Sequence, residues 1–170
     1  MAMIGLFDCD GTLFDNRPVQ PFAEQQDWLR VAERIDLIVP CQTAEGESAL
    51  ALTHCFRQWA VVSSSPRWYI WHLCRKFRVR PWCVIGCDDV VDTKPHPEAL
   101  KLAVAAMRVS VARCMMIGDD EADRAAAETV QMRFGRVAWS KCDSISGVRG
   151  DVTIAGPLEL AAIVRNGHAG

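Results

Sequence analysis

No stretch of this sequence is long and apolar enough to span a bilayer. Its first residues lack the basic segment, apolar core and cleavage site of an export signal. The expected location is therefore the cytoplasm, with no membrane partner. No long basic run occurs and the formal net charge is -2. Electrostatics thus give no reason to expect general nucleic-acid binding, although a phosphorylated nucleotide or nucleic-acid end stays open as a substrate. No Cys-x-x-Cys pair occurs among the eight cysteines, at 9, 41, 55, 74, 83, 87, 114 and 142. Their scatter argues against a zinc site, and their places inside apolar runs argue for buried free thiols in a reducing compartment. No repeat, low-complexity segment or linker breaks the 170 residues, which suit one domain with a small insert. Half of the residues are hydrophobic, so the chain can bury a sizeable core and disorder is not expected.

What is present is a rhythm of short apolar runs: MIGLF (3–7), AVVS (60–63), WCVIG (82–86), CMMIG (114–118) and a weaker RFGRVAW (133–139). Helical stripes fall between them. Leu52, Cys55, Phe56 and Trp59 follow i, i+3, i+4, i+7 spacing and predict a crossover helix over 44–59. Ile70, Leu73, Cys74 and Phe77 form a second stripe, and Leu100, Val104 and Met107 a third. Pro66 and Pro95 sit where helices start, with Ser65 as an N-cap. Near-continuous apolar strands alternating with helices predict an α/β fold, a mainly parallel sheet covered on both faces. DVTIA (151–155) predicts an edge strand, followed by a short helix from Pro157 to about residue 165 and a polar tail.

One segment departs from the rhythm. Residues 16–43 carry an extra amphipathic stretch, with Trp28, Val31, Ala32 and Ile35 on one side and Arg30, Glu33 and Arg34 largely off it. This reads either as a surface helix packed on the domain or as a small lid beside a site.

Four stretches carry chemistry. In FDCDGTLFD, side chains at i and i+2 of a strand share a face, so Asp8 and Asp10 are expected to face one small volume. Two carboxylates that close repel, and either a divalent cation neutralises them or one keeps its proton. A carboxylate can attack phosphorus while its neighbour works as acid and base. Gly11 lets the backbone approach a ligand, and the N–H groups of the turn at Gly11 and Thr12 could cradle phosphoryl oxygens. Alone, Asp-x-Asp is weak, because turns, calcium loops and sugar-nucleotide transferases also use it.

The other three stretches narrow the choice. In AVVSSSPR, Ser63, with Ser64 beside it, stands at the end of a strand, where a hydroxyl can donate to a phosphoryl oxygen. In DTKPHPEAL, Lys94 precedes a helix and could hold both a nucleophile and phosphate charge. In MMIGDDEAD, Asp119, Asp120, Glu121 and Asp123 follow a buried strand. Helix capping accounts for Asp120 and Glu121 but less well for Asp119 and Asp123. All four signals fall at or just after strand carboxyl ends, the edge where open parallel sheets bind ligands.

In this order the four stretches resemble the motifs of the haloacid dehalogenase-like superfamily, from about Met3 to Trp139. The resemblance implies a Rossmann-like three-layer sandwich with strand order 5-4-1-2-3 and a minimal helical insert after the first strand. It also implies Mg2+ and a phosphoaspartate intermediate. By position, Asp8 looks like the nucleophile and a metal ligand. Asp10 looks like the acid/base, with its backbone carbonyl on the metal. Ser63 and Lys94 look like the phosphate-holding pair, Asp119 like the direct metal ligand, and Asp123 like a supporting or water-mediated one, with Asp120 as a substitute for either.

Asp10 argues against carbon–halogen cleavage. The insert is too short for the four-helix cap of many relatives, so the cleft should be open to a phosphorylated substrate, small or bulky, or to cover by a second copy of the chain. Arg17, Trp28, Arg30, Arg34 and Arg67 are candidates to touch the leaving group. The expected activity is hydrolysis of phosphomonoesters. A phosphomutase of the same superfamily and a receiver-like phosphoacceptor domain are the alternatives. A receiver would place its lysine after the hydroxyl on the last strand, whereas Lys94 precedes the Gly-Asp-Asp cluster.

Overall fold

The computed structural model describes residues 2–139 and 152–166. Cys142, Asp151 of the expected edge strand and the polar tail beyond 166 lie outside the described residues.

The first apolar run is strand β1 (Ile4–Phe7), followed by the short β2 (Phe14–Asp15). Two small helices come next, α1 (Gln20–Glu24) and α2 (Trp28–Arg34), then β3 (Val39–Pro40). From β4 (Trp59–Val62) strands and helices alternate: α3 (Arg67–Lys76), β5 (Val84–Ile85), α4 (Glu98–Met107), β6 (Cys114–Gly118), α5 (Glu121–Thr129), β7 (Arg133–Val137), β8 (Val152–Ile154) and α6 (Pro157–Asn166). Six strands form one sheet in the order β5-β4-β1-β6-β7-β8, and every neighbouring pair is parallel. This is the expected order read from its other edge, with β8 added beyond the fifth strand. The register sets Phe7 beside Ile117 on one side and Val61 on the other.

Strand periodicity divides the core into two faces. Ile4 and Leu6 of β1, Ala60 and Val62 of β4, and Cys114 and Met116 of β6 pack with Ala99, Leu100 and Ala103 of α4 and Ala126 and Ala127 of α5. The alternate residues, Phe7, Trp59, Val61, Met115 and Ile117, pack with Tyr69, Ile70 and Leu73 of α3 and Leu160 of α6. A side chain leaving the end of a strand is thus directed toward α4 and α5 or toward α3, and this division positions the site. Among the described residues no helix is long and apolar enough to cross a membrane, and the seven described cysteines are free.

Two local expectations are corrected. The helix predicted over 44–59 is instead a stretch of 3-10 helix, Ala49–Cys55, and Trp59 already belongs to β4. Residues three apart share a face in a 3-10 helix too, so Leu52 and Cys55 keep their spacing without an α-helix. Ala32, expected on the apolar side of the insert, is exposed, whereas Val31 and Ile35 are buried. The insert consists of α1, α2 and a turn of 3-10 helix, Ile35–Leu37, between two paired strands, Phe14 opposite Pro40 and Asp15 opposite Val39. Asp27 caps α2 by accepting from the Arg30 N–H at 3.2 Å, and Val31, Ile35 and Ile38 anchor the segment in the core of the α3 face.

Candidate active site

The order of the sheet reverses around β1, with β4 on one side and β6 on the other. Their carboxyl ends deliver Asp8 and Asp10, Ser63 to Ser65, and Asp119 to one edge. Lys94 joins them from the loop before α4, and Asp123 from the first turn of α5.

Asp8, Asp119 and Asp123 each present a carboxylate oxygen, and the three atoms lie within 4.8 Å of one another. The Lys94 ammonium donates to Asp8 Oδ1 and to Asp123 Oδ1, each at 2.5 Å, and to the Val62 carbonyl at 3.1 Å. All three of its protons are thereby used. Asp8, Lys94 and Asp123 are buried, so three carboxylates share a poorly solvated volume with one cation. Burial pushes the Asp8 carboxyl up to about 7, opposed by Lys94 and reinforced by Asp119 and Asp10. Burial likewise raises Asp119 to about 7, with Asp123 and Asp120 adding to it, and Asp123 to about 8 against the pull of Lys94. Lys94 moves up as well: burial works against its charge, but Asp123 and Asp8 outweigh it.

Two glycines make this crowding possible. Gly11 has φ of +77°, and a Cβ there would stand 2.4 Å from Asp119 Oδ2. A Cβ on Gly118 would fall against the Asp123 carboxylate, 2.1 Å from Oδ2. Thr12, fully buried, donates its hydroxyl to Asp119 Oδ1 at 3.2 Å. The Trp139 indole N–H ties the Thr12 carbonyl to the end of β7 at 3.1 Å.

Asp10 takes a different direction. The expectation that Asp8 and Asp10 share a face holds only while the chain stays extended, and β1 ends at Phe7. The chain then turns, with the Leu13 and Phe14 N–H groups both donating to the Cys9 carbonyl at 3.0 Å. Asp8 accordingly meets Lys94 and Asp123 on the α4 and α5 face, whereas Asp10 meets the α3 face. The Ser65 hydroxyl donates to Asp10 Oδ2 and the Tyr69 hydroxyl to Oδ1, both at 2.6 Å. Burial raises the Asp10 carboxyl, while the two hydroxyls and Lys94 pull it back. Ser65 is therefore no N-cap: Pro66 occupies that position, without a side-chain bond.

The remaining predicted residues are placed as follows. Ser63 is buried, and its Oγ accepts from the Ser65 N–H at 3.1 Å. Ser64 is exposed beside it. The Gly11 N–H donates to the Phe14 carbonyl at 2.9 Å, so the part of Gly11 at the site is steric. Asp120 caps α5 by accepting from the Asp123 N–H at 2.9 Å and stays exposed, outside the carboxylate cluster. A cleft of about 940 Å³ opens beside the cluster, lined by Asp10, Gly11 and Asp119 on one side and by Arg17, Cys41 and Ser48 on the other. Of the five leaving-group candidates, Arg17 lines this cleft, paired with Asp15. Arg30 and Arg34 stack on Phe22, Arg67 pairs with Asp89, and Trp28 packs on Trp68 and Tyr69.

The sequence model of the haloacid dehalogenase-like hydrolases matches residues 20–130, well over half of the chain. The chain belongs to this family. The Asp8–Thr12 stretch lies ahead of the matched span, so the resemblance of the first motif is independent of it. Over 85 residues the chain is 34% identical to a phosphoglycolate phosphatase of Xanthomonas campestris pv. campestris, covering 48% of this chain and 38% of that protein. Over 58 residues it is 36% identical to the pyrophosphatase PpaX of Anoxybacillus flavithermus, covering 34% of this chain and 27% of the relative. The chain thus spans well under half the length of these curated relatives. A Lactobacillus plantarum structure, provisionally called a phosphoglycolate phosphatase, superposes with a TM-score of 0.80 at 19% identity, over 96% of this chain and 99% of that one. This last likeness establishes the fold.

The donor set suits a hard divalent cation: three carboxylates in reach of one point, with negative charge in excess over the single ammonium. The residues that sequence reasoning overlooked are Tyr69 and, in its actual role, Ser65. Tyr69 is the only tyrosine in the chain and falls one helical turn after Ser65, on the face that Ile70 and Leu73 had marked as core. The spacing is legible; the hydroxyl's partner 59 residues earlier is not.

Proposed function

We propose that this chain is a magnesium-dependent phosphomonoesterase working through an aspartyl phosphate on Asp8. The observation that carries the reading is the meeting of Asp8, Asp119 and Asp123 around Lys94 at the sheet's carboxyl edge, with Asp10 held beside them and a cleft alongside. Asp8, Asp119 and Asp123 are the side chains that would hold Mg2+, with the Asp10 backbone carbonyl in the role the family resemblance implies. The ion would neutralise carboxylate and phosphoryl charge.

Each step follows from the residues. Lys94 fixes one oxygen of Asp8 and lowers the repulsion that an incoming phosphate dianion meets. Asp8 attacks phosphorus in line, and the bond from phosphorus to the leaving oxygen breaks. Asp10 gives that oxygen a proton. It then takes one from the water that attacks the acyl phosphate, and the bond from phosphorus to Asp8 breaks to release inorganic phosphate. Ser63 offers its hydroxyl to the transferring group, and Lys94 offers its positive charge. The open cleft beside Asp10 and Asp119 admits the leaving group.

A phosphomonoester panel, assayed with Mg2+, tests the reading. Many turnovers per chain, lost in both Asp8→Asn and Asp10→Asn, support it. A single stoichiometric phosphorylation without turnover points to a phosphoacceptor domain instead.

A further inference from the structure

We propose that Tyr69 and Ser65 are positioning residues for Asp10, fixing the direction of the carboxylate that handles the leaving group's proton. This rests on the phosphatase reading and goes beyond it. Each carboxylate oxygen of Asp10 receives one hydroxyl, Oδ1 from Tyr69 and Oδ2 from Ser65, both at 2.6 Å. Both lengths lie at the short end of the range for O–H···O bonds. Two donors on two oxygens set both the position and the plane of the carboxylate; one donor would leave it free to pivot.

Both hydroxyls stand on rigid supports. The Tyr69 side chain is 1% exposed, and its ring lies 6.1 Å from the centres of both Trp28 and Trp68. Ser65 is tied through its N–H to Ser63 Oγ at 3.1 Å and through its carbonyl to the Cys87 N–H at 3.0 Å. Asp10, by contrast, lies beyond the end of β1, in a turn that alone does not orient its side chain. A proton donor must come within about 2.6–3.2 Å of its acceptor, and a misplacement of about 1 Å can cost 100-fold in rate. Trp28 belongs to α2, so the insert after β2 braces the proton-handling group through Tyr69. This gives the 16–43 segment a task at the site other than closing over it.

The test compares leaving groups. Tyr69→Phe keeps the ring and its packing and deletes only the hydroxyl. kcat/KM with Mg2+ is measured on an alkyl phosphate, whose leaving alkoxide needs a proton, and on p-nitrophenyl phosphate, whose phenolate does not. The expected loss is about 10-fold or more on the alkyl ester and less than about 3-fold on the aryl ester. Ser65→Ala should show the same asymmetry. Equal losses on both esters in both variants, or no loss, overturn the inference and leave the phosphatase reading intact. Absence of turnover by the wild-type chain on both esters overturns the phosphatase reading and the inference with it.

Discussion

Lys94 and Asp123 meet at 2.5 Å between side chains that are 4% and 0% exposed. Each residue is hard to bury alone; together, and with Asp8, they become tolerable. The bond also joins the loop before α4 to the first turn of α5, so the two loops arrive at the site in a fixed relation. Asp123 is thus an anchor for the lysine as well as a candidate ligand.

Removing the cation should expose that dependence. Lys94→Met leaves three carboxylates facing one another without a counter-charge. In EDTA at pH 8 it is expected to lower stability by about 3–5 kcal/mol, the usual cost of breaking a buried ion pair from one side. Urea denaturation measures the loss, and Mg2+ should recover part of it. Asp123→Asn should cost less, because Lys94 keeps Asp8 and the Val62 carbonyl.

Asp8→Asn separates chemistry from folding. Turnover should drop by on the order of 10⁴ or more, as for loss of other nucleophiles. The amide also removes one of three crowded negative charges, so the melting temperature in EDTA should hold or rise. Retained activity would move the nucleophile elsewhere.

Acidity offers a third check on the metal-free protein. Asp8 and Asp119 are pushed to about 7 and Asp123 to about 8, from an ordinary value of 3.8. Between those limits the folded state binds more protons than the unfolded one, so their contribution to stability is present at low pH and lost as pH rises through 7 and 8. Stability measured in EDTA should therefore fall from pH 5 to pH 8. With saturating Mg2+ the carboxylates have a reason to stay ionised, and the slope should flatten. Parallel slopes with and without Mg2+ would count against a metal at this cluster.

Much of this architecture was legible before any coordinates. The buried strands read as near-continuous apolar runs because both faces are covered, and CMMIG is strand β6 from end to end. Asp8, Lys94 and Asp119 stand out in the sequence because their types and order have few other uses together. What escaped depended on contacts across the chain. Leu52 and Cys55 fit an α-helix or a 3-10 helix alike, while Phe56 and Trp59, which complete the α-helical stripe, lie beyond the helix. Ser65 before a proline looks like a cap, and only the fold shows that its hydroxyl has Asp10 to bind. The choice between Asp120 and Asp123 rested on helix geometry: in a capping pair at the start of α5 one carboxylate stays outside and the other turns inward.

Thr12 offers the last prediction, and two roles compete for it. The motif assigns its turn to the phosphate, whereas the structure aims its hydroxyl at Asp119 Oδ1 from a fully buried position. Thr12→Val keeps the shape and deletes the donor, while the Trp139 indole still holds the Thr12 carbonyl through the backbone. If Thr12 orients a metal-binding carboxylate, the Mg2+ concentration for half-maximal turnover should rise about 10-fold, the lower end of what lost supporting partners cost. kcat at saturating Mg2+ should then return close to the wild-type value, since no donor to the phosphoryl group has gone. If the hydroxyl serves the phosphate, the pattern reverses: Mg2+ dependence stays put and kcat/KM falls at every Mg2+ concentration. A Mg2+ titration of turnover, run beside wild type, reads the two apart.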